Sequence, residues 1–229
     1  MSFTTYSRDA KADRVVLKTD LFGAVYRVHP SNSANGDTVI VRDLSTARWW
    51  LRPLARRLAA REARALAALP NSSALPSLLD WDGIRLTRSF VDGQPLQAAK
   101  PHDARYFKSA RVLLRALHRA GVVHNDSAKE PNWLVRPDGT AGLVDFQLAG
   151  VFAQRTQWFR QLAMEDIRHL LKHKRSYVPH ALTAREQRIL ATPAWHSRLW
   201  RQTGKRLYLF ITRRLLKWRD REGANDRQL

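Results

Sequence analysis

An α+β fold is predicted from three features of the chain. Short strand-like runs punctuated by turn residues recur through the first 92 positions; strong helical periodicity marks 53–69 and 103–120; and a hairpin pattern at 133–144 is followed by mainly helical sequence. At 229 residues the chain can bury a core as one two-lobed unit or as two small domains. The expected division is 1–92, an antiparallel sheet with one helix, and 93–229, a mainly helical part. Asp92-Gly93-Gln94-Pro95-Leu96 reads as the hinge between them.

The elements follow in order. Residues 14–18 and 24–28 read as strands joined by Thr19-Asp20-Leu21-Phe22-Gly23, and 31–37 is a polar loop. A third strand, 38–42, ends in the charged Arg42. The helix at 53–69 opens with Pro53, which suits a first turn, and stops at Pro70-Asn71. Its expected apolar face is Leu54, Leu58, Ala65, Leu66 and Leu69. Glu62 stands nearly alone among arginines, and the positions three and four away hold Leu58, Ala59, Ala65 and Leu66, so no ideal same-helix ion pair is offered. A hairpin is expected over 78–91. The helix at 103–120 carries Val112, Leu113, Ala116 and Leu117 on one face and ends at Gly121.

Chemistry concentrates in His124-Asn125-Asp126-Ser127-Ala128-Lys129-Glu130-Pro131-Asn132-Trp133-Leu134-Val135 and Leu143-Val144-Asp145-Phe146-Gln147. Trp133-Leu134-Val135 and 141–144 are strand-like, and Arg136-Pro137-Asp138-Gly139-Thr140 between them is turn chemistry. A hairpin there carries Asp126 and Asn132 at one end and returns Asp145 beside them. Singly, these residues read as a turn residue, a cap and a strand-end carboxylate. Together they offer one carboxylate to accept a hydroxyl proton, with an amide oxygen and a second carboxylate for magnesium on ATP phosphates.

The pattern H-x-D…N…D-F-x resembles the catalytic loop and metal-binding aspartate of the protein-kinase-like fold. The chain is most similar to small bacterial lipopolysaccharide-core sugar kinases and RIO-type kinases, through Arg61 to Leu66, His124 to Val135 and Leu170 to Arg175. The resemblance implies a two-lobed kinase-like fold, a small antiparallel N-lobe sheet plus one helix and a minimal helical C-lobe, with ATP and magnesium as cofactors. It implies Asp126 as catalytic base, Lys129 on the transferring phosphoryl group, and Asn132 and Asp145 as metal ligands. It also implies Arg42 paired with Glu62 to position the nucleotide, the turn ending at Gly23 over the phosphates, and backbone near Ser89 to Val91 at the adenine. Asp166, in the carboxylate pair Glu165-Asp166, is the expected brace of the loop, and His124 a structural member of it. The chain departs from the pattern at three places. Five residues separate Asp126 from Asn132 where kinases have four, Gln147 stands where D-F-G ends in glycine, and Arg42 replaces the strand lysine with a wide planar fork. The Ala-Pro-Glu closure of peptide-docking kinases is missing, which argues against a conventional protein kinase.

Composition narrows the partners. With no cysteine there are no disulfides, no zinc–thiolate site and no thiol nucleophile. Residues 1–13 are polar and mixed in charge, unlike a signal peptide, and no apolar run approaches the length of a bilayer. A cytoplasmic protein is expected, peripheral at the inner membrane if it meets lipid. Forty basic against twenty acidic residues give a formal charge of +20, concentrated at Arg48 to Arg64 and from Arg168 to Arg221, which calls for an anionic partner. Between Trp195 and Trp218, aromatics interleave with arginines, as in a helix on an anionic membrane or one packed on the second lobe. The expected acceptor is an anionic glycolipid sugar or a protein serine or threonine. The alternatives are a pseudokinase or binding module, and a nucleic-acid binder for which charge is the sole warrant.

Overall fold

Residues 13–29 and 38–192 are described by the computed structural model of this chain, and they form an α+β protein. The strand-like runs of the first part pair as read. β1 (Asp13–Asp20) and β2 (Gly23–His29) form a hairpin, β3 (Val39–Asp43) follows, and β4 (Leu78–Trp81) and β5 (Arg85–Ser89) complete an antiparallel sheet in the order β1-β2-β3-β5-β4. Register decides what shares a face. Ile40 lies opposite Arg27 and Arg88, and Arg42 opposite Val25 and Leu86. Because side chains alternate along a strand, Arg27, Ile40, Arg42, Leu86 and Arg88 point to one side of the sheet.

Helix α1 (Arg52–Ala68) lies against that side, with Pro53 in its first turn. Its buried stripe is Ala55, Ala59, Glu62, Ala63, Ala65 and Leu66, so Ala65 and Leu66 of the expected face are inside. Leu54 is exposed and Leu58 only half-buried. Alanines at i, i+4 spacing let the helix lie close to the sheet, and the larger Leu54 and Leu58 fall outside that contact. Helix α3 (Ala104–Arg119), which Asp103 caps by accepting from Arg105 N, keeps Leu113 and Leu117 of its expected face inside. It buries Tyr106, Phe107, Ala110, Leu113, Leu114 and Leu117, while Val112 is exposed.

The expected hinge becomes β6 (Gln94–Pro95) and the short α2 (Leu96–Ala99). β6 pairs with β8 (Trp133–Val135), which pairs with β9 (Ala141–Leu143), while β7 (Val122–Val123) pairs with β10 (Gly150–Val151). Helix α4 (Gln157–Tyr177) is capped by Thr156, whose hydroxyl accepts from Phe159 N. A reciprocal capping box opens α5 (Ala184–Ala191): Glu186 N donates to Thr183 Oγ1, and Thr183 N donates to the Glu186 carboxylate. That carboxylate also takes Lys174 Nζ at 2.7 Å.

One apolar cluster joins Leu66 and Leu86 to Leu96, Tyr106, Leu114, Leu117, Trp133 and Phe146, so residues on both sides of the 92/93 division share a core. The chain divides into compact units 1–186 and 187–229, the second described only through Thr192. The loop 31–37 and the aromatic–basic stretch 195–218 lie outside the described residues. Among the described residues no helix is long and apolar enough to cross a membrane.

Candidate functional site

The site begins where β7 delivers the chain to His124. This imidazole is fully buried, edge-on to Phe146 at 4.8 Å between ring centroids. Val144 O lies 2.9 Å from Nε2, and Asp126 N donates to Nδ1 at 3.3 Å. A carbonyl only accepts and an amide only donates, so the ring is fixed with its proton on Nε2. His124 therefore acts as a spacer tying the loop to the end of β9.

Asp166, on α4 and 1 % exposed, takes up the loop's other donors. Its carboxylate accepts from His124 N at 2.8 Å, Asn125 N at 3.1 Å and Ser127 Oγ at 2.8 Å, with His118 Nε2 at 3.4 Å. Burial alone would raise its pKa; the hydrogen bonds from the His118 ring, the His124 amide and the Ser127 hydroxyl outweigh that and hold it below the usual carboxylate value. Ser127 O is in turn bonded by Trp133 Nε1 at 2.9 Å and His173 Nε2 at 3.0 Å. The loop is thus anchored at both backbone and side-chain groups.

Held this way, the loop brings three of the expected residues together. Asn132 Nδ2 donates to Asp126 O at 3.0 Å and Asp126 Oδ2 at 3.2 Å, and Lys129 Nζ lies 3.0 Å from the same Oδ2. The loop ends in a 3-10 turn at Glu130–Asn132, closed by Asn132 N on Lys129 O at 3.3 Å. It leaves Asn132 facing Asp126, buried, with the amide nitrogen spoken for and the amide oxygen left as acceptor.

Asp145 joins them through the hairpin. Trp133 pairs with Leu143, and Val144 N donates to Asn132 O at 2.9 Å, so Asp145 emerges one residue beyond Asn132's own partner. It adopts a left-handed backbone (φ 67°), as does Asn125 (φ 62°), a conformation that Asp and Asn tolerate best among residues with a Cβ. Asp145 Oδ1 is buried and has no hydrogen-bond partner. A buried carboxylate oxygen without a donor is costly, and a cation is one remedy. A carboxylate oxygen and an amide oxygen are donors of the type magnesium takes from protein, and Asp145 and Asn132 would supply them, leaving other positions for water and phosphate. No group of three or more His, Cys, Asp or Glu suited to a metal occurs among the described residues.

The second expected pair also forms, with an addition. Glu62, 1 % exposed, lies 3.7 Å from Arg42 Nε and 3.6 Å from Arg88 Nε. Burial, with the Arg42 charge, lowers the Arg88 pKa against the pull of Glu62 and Asp145. Arg88 thus feels the charges of both Glu62 and Asp145. Arg27 lies over the Phe90 ring at 4.3 Å from its centroid, on the same face of the sheet. Gly23 belongs to neither group: its nearest neighbours are Asp43 and Leu44, and at φ 130° a Cβ there would meet Asp43 O at 2.3 Å. Its want of a side chain serves the approach of β2 to β3.

Sequence reasoning missed Arg88 and Arg61. Arg61 Nε and Nη2 bond Ala149 O at 2.6 Å and Leu148 O at 2.8 Å, and Asn125 Nδ2 reaches Leu148 O at 2.9 Å. So α1 and the loop both grip the segment after Asp145. An available signal for Arg88 was its alternation with Leu86, which puts a charge on an inward strand position. A cleft of ≈ 520 Å³ lined by Thr38, Ser72, Ser77, Ser89 and Phe90, among others, takes in none of Asp126, Asn132 or Asp145. No protein-family model matches the chain.

Proposed function

We propose that the chain is an ATP- and magnesium-dependent kinase with a two-lobed, kinase-like architecture, transferring the γ-phosphoryl group to a hydroxyl. The observation that carries this reading is the buried, donor-less Asp145 Oδ1, on the residue that follows Val144, the backbone partner of Asn132, with the Asn132 amide nitrogen committed to Asp126 and its amide oxygen left as acceptor. Asn132 and Asp145 would hold magnesium, which when bound offsets the charge of the phosphates. Asp126 orients the acceptor hydroxyl and takes its proton as the new O–P bond forms and the bond to the ADP oxygen breaks. Lys129 holds Asp126 in position until the phosphates arrive and then serves the transferring group. Arg42, kept by Glu62, faces the nucleotide phosphates. The acceptor is a sugar hydroxyl of an anionic glycolipid or a protein serine or threonine, the former favoured by the charge of +20.

A second reading, an anion-binding pseudokinase, draws on Glu62 being shared by two arginines, which leaves Arg42 less committed to phosphate. Thermal unfolding with Mg-ATP separates the outcomes. At nucleotide about a hundredfold above Kd, binding raises stability by about 2.7 kcal/mol. For a chain of this size that moves Tm by roughly 5–10 °C. The expected result is a magnesium-dependent shift that Asp145→Ala abolishes; no shift at saturating nucleotide overturns the kinase reading.

A further inference from the structure

The turn that leads into α1 carries an exposed apolar and basic patch that the phosphoryl-transfer site does not use. Trp49 is 79 % exposed, Trp50 44 % and Leu54 47 %. Around them Arg48, Arg52, Arg56 and Arg57 are all exposed. The turn is well built: Leu51 N and Arg52 N both donate to Arg48 O, Arg48 N donates to Leu21 O, and Arg52 holds Ala47 O and Ser45 O. The tryptophans are therefore displayed on a fixed scaffold.

No ion pair or hydrogen bond among the described residues engages the side chains of Arg48, Arg56 or Arg57. The first turn of α1 has no acidic residue, and Glu62, the acidic residue of that helix, is buried. The nearby carboxylates are occupied locally, Asp20 by Phe22 N and Lys18, Asp43 by Ser45 N and Arg85. A positive end of a helix dipole adds to the same field.

We propose that this patch is a docking surface for an anionic lipid bilayer, with Trp49, Trp50 and Leu54 entering the headgroup boundary and Arg48, Arg56 and Arg57 on lipid phosphates. Tryptophan rings favour that boundary, and basic side chains near an anionic surface each strengthen attachment. A nucleic acid would use the same charges, but a base stacks best where protein also flanks its backbone in a groove. A ring four-fifths exposed has no such wall, and Leu54 offers a base nothing. The proposal does not depend on the kinase reading, since docking needs no nucleotide.

The test is co-sedimentation of the full chain with vesicles of phosphatidylcholine and phosphatidylglycerol in roughly equal parts, against phosphatidylcholine alone. The native chain is expected to bind the anionic vesicles. The double variant W49A/W50A is expected to lose about tenfold or more in partitioning, and Arg56→Gln about fivefold. Unfolding midpoints of the variants should match the native chain, because the altered side chains are exposed. Binding that survives W49A/W50A undiminished overturns the proposal and moves attachment elsewhere on the basic chain. So does preference for a duplex or single-stranded nucleic acid competitor that strips the protein from vesicles regardless of the tryptophans.

Discussion

Asp126 meets two donors, Lys129 and Asn132, on one carboxylate oxygen, and its own backbone N–H is tied back to His124. Under the phosphoryl-transfer reading, Asp126→Asn keeps the shape and removes the proton acceptor. Turnover in a γ-phosphoryl transfer assay should fall by about a thousandfold or more, while the Mg-ATP thermal shift stays near native. Full turnover would remove Asp126 from the mechanism. Glu62 poses a different problem. It is a single buried carboxylate between two guanidiniums, and its loss leaves like charges facing each other with nothing between. Glu62→Gln should destabilise the fold by roughly 3 kcal/mol, read from the urea midpoint, because breaking a buried pair costs more than the pair itself contributes. A change below experimental error would mean that solvent already shields Arg42 and Arg88.

At the scale of elements, the loop from His124 to Asn132 owes its shape to α4 rather than to its own sequence. Asp166 accepts from two consecutive backbone amides and a serine hydroxyl. Asp166→Ala takes the acceptor from the His124 and Asn125 amides, while Ser127 Oγ keeps His169 Nδ1 at 3.3 Å, and each buried donor left unpaired costs about 1–3 kcal/mol. Unfolding by urea should show a loss of several kcal/mol, and amide exchange at Asn125 should accelerate before the rest of α4. Exchange unchanged at Asn125 would show that water replaces the carboxylate. Arg61 does for the segment after Asp145 what Asp166 does for the loop: it reaches from α1 to two carbonyls in that segment. Two helices thus clamp the two strands of side chains that meet at Asn132 and Asp145.

Across the whole molecule, protonation sets stability in two windows. His169 and His173 have pKa values pushed below 6.5, in both chiefly by burial; Lys172 adds to the effect on each, against Asp166 and Glu165 for His169 and against the Ser127 carbonyl and Glu130 for His173. Between the unfolded value and the lower folded one, the unfolded chain binds more protons, so stability falls as pH drops below 6.5. Asp166 acts later. Its folded pKa lies under 3.8, so its contribution is complete above that value and is lost as pH falls through the folded one. Urea midpoints measured from about pH 8 down to about pH 5 should decline with a slope that His173→Gln reduces, since glutamine keeps a donor for Ser127 O without titrating. A slope identical in the variant would assign the window to other histidines.

The kinds of elements and their order were legible in the sequence because they are local. Alternation produced β2, β3, β5, β8 and β9, proline and glycine set their ends, and a Pro-Asp-Gly turn placed Asp145 near Asn132 across a hairpin of a dozen residues. The set Asp126, Asn132 and Asp145 could be read for the same reason. Burial was read only in part: Ala65 and Leu66 of the face expected on α1 are inside, but Leu54 is exposed and Leu58 half-buried, since periodicity defines a stripe but not how closely another layer approaches it. Nor could the partners of Glu62, the Arg61 clamp or the loop's bonds to Asp166 be derived in full. Arg61 meets Ala149 across 88 positions and Asp166 meets His124 across 42, separations at which no repeat or spacing in the chain carries information and only the packed core fixes the distance.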